Sequence, residues 1–227
     1  MASSYTFLPW LRRGLAKKIT EPDPLTNAPA STPNASVMVG VKLLADDLEK
    51  QTILHQTTLL GPGDIIGIER DAIVKTEPRA GIVNFEPTYF PYIEFYEEDL
   101  PWRYTPAQAA KGIRLRPWLA LIVLEAPEFE RKNPVSGGSN RVVLVKSAFQ
   151  SLVFPPSDQT WAWAHVQVND NTLDLSDLSK RDIAIGDALT RNPNVGSSRL
   201  LCPRRLRPNT QYYAFLIPRS KKGVSQV

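Results

Sequence analysis

Residues 84–126 read NFEPTYFPYIEFYEEDLPWRYTPAQAAKGIRLRPWLALIVLEA, and we expect the rest of the chain to pack around this stretch. It holds much of the aromatic area of the protein, and aromatic side chains contribute strongly to cores and interfaces. Its prolines divide it into short extended pieces, because each one removes a backbone donor and disfavours the α region for the preceding residue. The last piece, Leu119 to Leu124, is apolar throughout and is bounded by Pro117 and Pro127. We therefore expect a fully buried strand there.

The composition favours a mainly β (α+β) fold. The chain has 227 residues, of which 42% are hydrophobic and 22% charged, so it can bury a sizeable core. Twenty prolines against twelve glycines, scattered between short apolar runs, argue against a helical bundle. The sequence predicts antiparallel sheets, sandwich- or barrel-like, with short helices and an N-terminal arm.

Alternating and apolar runs place the elements along the chain. A turn is expected at Gly61–Asp64, helices at Ser147–Val153 and Asp174–Ile185, and loops at Pro127–Asn140 and Arg191–Ser198. Strands are predicted at Ser36–Ala45, Gln51–Leu60, Ile65–Ile68, Ala72–Lys75, Leu119–Leu124, Arg141–Lys146, Thr160–Val168 and Gln211–Ile217.

The chain divides into four segments. Residues 1–19 form a basic, amphipathic N-terminal arm, because Leu8, Leu11, Leu15 and Ile19 have helical spacing. Two interpretations stay open: a docking arm on a neighbouring subunit or a membrane surface, and a first helix packed on its own domain. A proline-rich linker follows at 20–36, then the mainly β domain at 37–218. A basic tail at 219–227 is expected to lead into a further C-terminal portion.

The charges point to contacts between proteins. The net charge is only +4, with 27 basic and 23 acidic residues, but acidic side chains cluster at Glu94–Asp99 and arginines cluster after Arg199. This segregation favours head-to-tail contacts between copies, and no nucleic-acid-binding motif accompanies the arginines. The single cysteine, Cys202, excludes an intrachain disulfide and fits a reducing, cytoplasmic compartment.

Catalytic and metal-binding patterns are weak. The two histidines, His55 and His165, lie in separate predicted strands, and no phosphate-binding or dinucleotide motif is present, so we expect no metal and no cofactor. Two rival functions stay open. Paired carboxylates among Glu94, Glu97, Glu98 and Asp99 would suit a glycan hydrolase, although a solvated acidic edge is favoured. Trp161 and Trp163 would suit a sugar-stacking platform, although core or interface packing is favoured.

Three stretches carry a family resemblance: FPYIEFYEEDLPWRYTPA, LRPWLALIVLEAPEFE and SRLLCPRRLRPNTQYYAFLIP. They resemble the N-terminal part of a large baseplate-associated protein of bacterial contractile injection systems, which are phage-tail-like particles. The resemblance implies a structural, non-enzymatic subunit present in several copies, with copies of itself and other baseplate proteins as partners. It implies a cytoplasmic particle that can dock at a membrane, and neither nucleic acid nor a small-molecule substrate.

Large aromatic residues and arginines are the usual anchors of protein interfaces. On that basis the sequence predicts a set of contact residues drawn from the arm, the aromatic segment and the arginine cluster. They are Trp10, Leu11, Leu15, Trp102, Arg103, Tyr104, Arg204, Arg205 and Arg207.

Overall fold

A computed structural model describes residues 5–23, 34–109, 114–132, 142–156, 158–170, 173 and 180–218. The fold is mainly antiparallel β, which confirms the predicted class. In chain order the described strands are β1 (Tyr5–Leu8), β2 (Ser36–Ala45), β3 (Leu48–Thr58), β4 (Ile73–Glu77), β5 (Tyr92–Phe95), β6 (Leu119–Leu124), β7 (Phe129–Lys132), β8 (Val142–Val145), β9 (Ala164–Asn169), β10 (Gly196–Leu201) and β11 (Tyr213–Pro218), and the α-helices are α1 (Gln150–Val153) and α2 (Arg181–Arg191).

One five-stranded sheet and three two-stranded sheets make up the β structure of the described residues. The larger sheet has the order β1-β9-β10-β5-β4, and all its neighbours are antiparallel. The smaller sheets pair β2 with β3, β6 with β11, and β7 with β8. Strands that are distant in sequence therefore meet in the large sheet, whereas β2–β3 is a local hairpin.

Strand β6 lies between two hydrophobic clusters, which explains its uninterrupted apolar sequence. Successive strand side chains point to opposite faces. Leu119, Leu121 and Val123 join the main core with residues of the five-stranded sheet. On the opposite face, Ile122 and Leu124 join a second cluster with residues of β7, β8 and α1. The predicted buried strand at Leu119–Leu124 is confirmed, and both its faces are covered within the chain.

The aromatic segment before β6 is part of the core. Trp102 is fully buried and its indole N–H donates to the Leu115 carbonyl at 3.0 Å. The Trp118 indole donates to the Leu100 carbonyl at 2.6 Å, and Tyr104 packs edge-on against Trp118 with ring centroids 5.0 Å apart. A buried indole needs such an acceptor. These two hydrogen bonds tie the segment to the chain just before β6.

The N-terminal arm is not the predicted amphipathic helix. Tyr5–Leu8 forms β1, which pairs with β9, and Gly14–Lys18 is a short 3-10 turn that begins at Gly14 with φ of 55°. Proline at position 9 and a left-handed glycine both oppose a continuous helix. Leu8 and Leu11 are buried in the main core, so this segment packs on its own domain as a strand and a turn.

The start of the predicted linker is also attached to the domain. Pro22 forms an isolated bridge with Gln108, and Asp23 accepts a hydrogen bond of 2.7 Å from Arg116 Nε. Residues 24–33 of the linker, the tail at 219–227 and residues 174–179 of the predicted second helix lie outside the described residues.

Several element boundaries differ from the prediction. Ile65–Ile68 is not a strand, because it has no strand neighbour; Ile65 and Ile68 pack on the core, whereas Ile66 is exposed. Residues Thr160–Trp163 form a 3-10 turn before β9. The expected loops contain strands β7 and β10, and the second helix is Arg181–Arg191. Strands β7 and β10 are rich in polar residues. They form by pairing with other strands, and the local sequence does not reveal this pairing.

Candidate interaction surface

The hairpin β2–β3 is the longest strand pair of the described chain. It runs from the pair Ser36–Thr58 at its base to the pair Ala45–Leu48 at its tip. Asp46 and Asp47 form the connection with φ angles of 51° and 60°. Two consecutive positive φ values are typical of the type I′ turns that match the right-handed twist of paired strands.

Only the base of the hairpin is attached to the domain. Val37 is buried with Ile19 and Ala35, and the Leu59 N–H donates to the Ala35 carbonyl at 2.9 Å. All residues from 40 to 56 are exposed. An isolated two-stranded hairpin is at best marginally stable in water, so a protruding pair of ten and eleven residues gains from a partner.

The exposed part of the hairpin is apolar on both faces. One face carries Val41 and Ile53, which are paired with each other, and the opposite face carries Met38 and Leu54, which are 61% and 67% exposed. Residues 36–41 and 51–58 contain no Lys, Arg, Asp or Glu. Native proteins usually protect long exposed edges with charges or prolines, and apolar patches of this kind mark interaction sites.

The sequence predicts both strands but not their exposure. The alternation of Val37, Val39, Val41 and Leu43 is typical of a half-buried strand with one face covered by its own domain. The missed signal is the second apolar face, which includes Met38, together with the absence of charged side chains from the basal half of both strands.

The acidic run at 94–99 is not a solvated edge. Glu94 accepts hydrogen bonds from Arg199 Nε at 2.9 Å and from the Ser197 hydroxyl at 3.1 Å. Arg103 binds both Asp99 and Glu97, with 2.7 Å between Arg103 Nη1 and Glu97 Oε2. Arg199 from β10 and the nearby Arg103 thus neutralise these carboxylates within the chain.

Glu98 is the most unusual carboxylate of the run. Its side chain is buried and forms an ion pair with Arg13. Burial raises the pKa of Glu98 above the ordinary value of a carboxyl, although Arg13 opposes this shift. Burial likewise lowers the pKa of the neighbouring Arg12 to about 10, and Arg12 donates to the carbonyls of Ala16 and Ala107. Arg12 and Arg13 therefore serve the interior of the domain, whereas Lys17 and Lys18 are exposed.

The arginine cluster forms a second internal ion-pair network. Arg204 Nη2 lies 2.7 Å from Glu125 Oε1, and Arg204 Nη1 lies 2.5 Å from Glu128 Oε2 and donates to the Val123 carbonyl of β6 at 3.1 Å. Burial opposes ionisation of Glu128, but the hydrogen bonds from Arg204 prevail and lower its pKa below the ordinary carboxyl value. Arg207, mostly exposed, also contacts Glu125. Arg204 and Arg207 thus have acidic partners within the chain.

The five-stranded sheet has a polar face opposite the core. Arg199 and Lys75 lie over the Tyr92 ring, at 4.9 Å and 5.5 Å from its centroid. His165 lies beside Arg199 in the register of β9 and β10 and packs edge-on against Phe7. Burial, and then the charge of Arg199, lower the pKa of His165 below its ordinary value. This face is a packed polar network around Glu94.

The structure brings few of the predicted contact residues to the surface. Leu11 and Trp102 are buried in the core and cannot contact another molecule, so their prediction as contact residues is wrong. Trp10 and Tyr104 are partly buried against the same core. Arg103 and Arg204 are held by carboxylates of their own chain. The exposed members of the set are Leu15, Arg205 and Arg207.

The residues predicted for the glycan hydrolase and for the sugar-stacking platform also have partners within the chain. Glu97 and Glu98 each hold an arginine. The Arg114 guanidinium stacks on Trp161 at 4.7 Å, and Trp163 packs edge-on against Phe90. Cys202 is buried, and burial raises the pKa of its thiol. In the described part of the chain, no three His, Cys, Asp or Glu side chains are grouped to hold a metal ion.

Within the same described ranges, no helix is long and apolar enough to cross a membrane. No protein-family model, curated protein or solved structure matches this chain.

Proposed function

We propose that this chain is a structural subunit of a contractile injection system, assembled in several copies at the baseplate or as an extension of it in a cytoplasmic particle. The observation that carries the proposal is the hairpin β2–β3, which projects exposed apolar side chains on both faces and has two free edges in the described chain. Such a surface suits burial against other protein subunits. The class of assembly comes from the sequence resemblance.

The internal ion pairs support a structural role over the glycan hydrolase. A pair of catalytic carboxylates needs a fixed separation across a cleft that admits the glycan. Glu98 is buried against Arg13, and Glu97 contacts Arg103. A carbohydrate platform needs open aromatic faces, whereas Arg114 lies over the Trp161 ring.

Electron microscopy of the tagged full-length protein purified from its native cells tests this proposal. We expect sheathed tubes that carry the tag at one end. The matched control is a tagged variant with Met38, Val41 and Leu54 changed to threonine, which should accumulate as a folded protein but be absent from the tubes. Tubes that form normally and never contain the unsubstituted chain would overturn the proposal.

A further inference from the structure

We propose that β2 pairs with β2 of a second copy of this chain, antiparallel and edge to edge, about a two-fold axis at Gly40. This inference rests on the proposed function, because it names the molecule that covers part of the exposed hairpin. It requires a free edge of suitable chemistry, a register that matches side chains, and complementary charge at the ends of the strands.

The free edge of β2 is better suited to pairing than that of β3. Each strand of the hairpin pairs only with the other among the described strands, so each has one open edge. Lys42 is the only charged residue of β2, whereas β3 carries Glu49 and Lys50. Charged side chains on an edge discourage strand addition. The edge of β2 is therefore the better suited of the two to pairing with a second strand.

A register centred on Gly40 matches apolar side chains on both sides of the axis. Val39 would lie opposite Val41 of the second copy, and Val37 opposite Leu43 of the second copy. The sequence SVMVGVKLLA allows these pairs because Val39 and Val41, like Val37 and Leu43, are equidistant from the glycine. On the other face of the strand, Met38 would lie opposite Lys42 of the second copy. Directly opposite side chains on one face are close enough to stabilise a sheet. The two-fold axis repeats each pair, as expected for an isologous interface.

Antiparallel pairing also brings opposite charges together. The tip of each hairpin, with Asp46 and Asp47, would reach the base of the hairpin in the second copy. At that base Ile19 packs with Val37, and the exposed residues Lys17 and Lys18 come directly before Ile19. Within the described residues, no carboxylate lies within ion-pair distance of either lysine. The acidic tip would therefore meet an unoccupied basic pair.

Charge-swap variants of the full chain test this pairing by sedimentation equilibrium. We expect the unsubstituted chain to dimerise more weakly at high salt, because the tip and base charges are exposed. Val39→Glu/Val41→Glu and Val39→Lys/Val41→Lys each place like charges opposite each other, and each should self-associate roughly ten-fold more weakly. An equimolar mixture should recover dimers, because Glu then faces Lys. Failure of the mixture to associate, with both variants folded, would overturn the pairing.

Engineered cysteines test the register. Val39→Cys and Val41→Cys chains should form a disulfide-linked dimer when mixed, because opposite residues in an antiparallel pair lie within the Cα separation that a disulfide needs. Each variant alone should cross-link much less. The native Cys202 is present in both variants and is buried, so its cross-linking sets the background of the measurement. Equal cross-linking of Val41→Cys alone would reject an axis at Gly40.

The two proposals fail in different ways. Particles that contain the chain, together with a purified chain that stays monomeric and does not cross-link, would overturn the β2 pairing and leave the proposed function in place. A cross-linked β2 dimer from cells whose particles lack the chain would overturn the proposed function alone.

Discussion

Strand β6 and the hairpin β2–β3 both carry apolar side chains on two faces, but their surroundings differ. The two faces of β6 are covered by two clusters of the same chain. The faces of the hairpin are exposed beyond its base. A strand with apolar side chains on both faces is expected to be buried by other residues. These residues can belong to the same chain, as for β6, or to another molecule, as proposed for the hairpin. Changes in β6 should therefore affect stability, and changes in the hairpin should affect assembly.

The largest expected effect is that of deleting residues 1–19. The deletion removes β1 and the buried side chains of Leu8 and Leu11, each of which stabilises the core by about 2–5 kcal/mol. Urea denaturation should show a loss of more than about 4 kcal/mol in the free energy of unfolding. The matched control replaces residues 38–56 of the hairpin by a two-residue turn and should leave the domain folded. A stable domain after the first deletion would mean that the N-terminal segment is not needed for folding. An unfolded domain after the second would mean that the hairpin is needed for folding.

A substitution in β6 comes next. Leu124 is fully buried in the second cluster, so Leu124→Ala should destabilise the domain by about 3–4 kcal/mol. The same change at the exposed Leu54 should cost less than about 0.5 kcal/mol in the dilute chain. Thermal and urea unfolding of both variants measure the difference. Similar losses at the two positions would mean that the hairpin is covered by its own chain.

The ion pair between Glu128 and Arg204 reinforces the covered side of β6, because Arg204 also donates to the Val123 carbonyl. Glu128→Gln should destabilise the domain by about 2–3 kcal/mol at pH 7, since it leaves a largely buried arginine with one carboxylate fewer. Because the pKa of Glu128 is lowered in the folded state, its carboxylate stabilises the fold at pH values above the ordinary carboxyl pKa. This stabilisation is lost as pH falls through the pKa of Glu128 in the folded state. The two proteins should therefore converge at acid pH. Arg207→Gln, at the exposed rim, is the control and should change stability much less, because an exposed ion pair contributes little.

How far the sequence predicted these features depends on the range of the interactions. The strands at Ser36–Ala45 and Leu119–Leu124 were predicted correctly, because their apolar patterns are local. The N-terminal segment was predicted to be helical, since Leu8, Leu11, Leu15 and Ile19 have helical spacing. Its partner strand, β9, lies far along the chain and leaves no local sign.

The charges show the same limit. The acidic run and the arginine cluster are evident in the sequence, but the pairing of Glu94 with Arg199 and of Arg13 with Glu98 is not. These partners lie far apart in sequence, so charge segregation along the chain does not imply segregation on the surface. Of the contact set, Leu11 and Trp102 were misjudged because a large apolar side chain suits a core as well as an interface.

The smallest expected effect concerns the two histidines, His165 in β9 of the five-stranded sheet and His55 in the hairpin. Burial lowers the pKa of His165, so the neutral ring stabilises the fold above its ordinary pKa, and this contribution is lost as pH falls through the pKa of the folded state. In His165→Gln, the fall in stability as pH drops below about 6.5 should be smaller than in the unsubstituted chain. His55→Gln, on the exposed hairpin, should retain the full acid-induced fall. If both variants keep the full acid-induced loss of stability, a group other than these histidines causes it.

Hydrogen exchange of the hairpin amides tests most directly whether another molecule covers β2–β3. The measurement compares the dilute chain with the chain in purified particles, using the amides of β6 as the internal reference. We predict rapid exchange for Met38–Leu44 in the dilute chain, strong protection of the same amides in the particle, and protection of β6 in both. Equal exchange of the hairpin in the two samples would contradict a covered hairpin and, with it, the proposed role of β2–β3 in assembly.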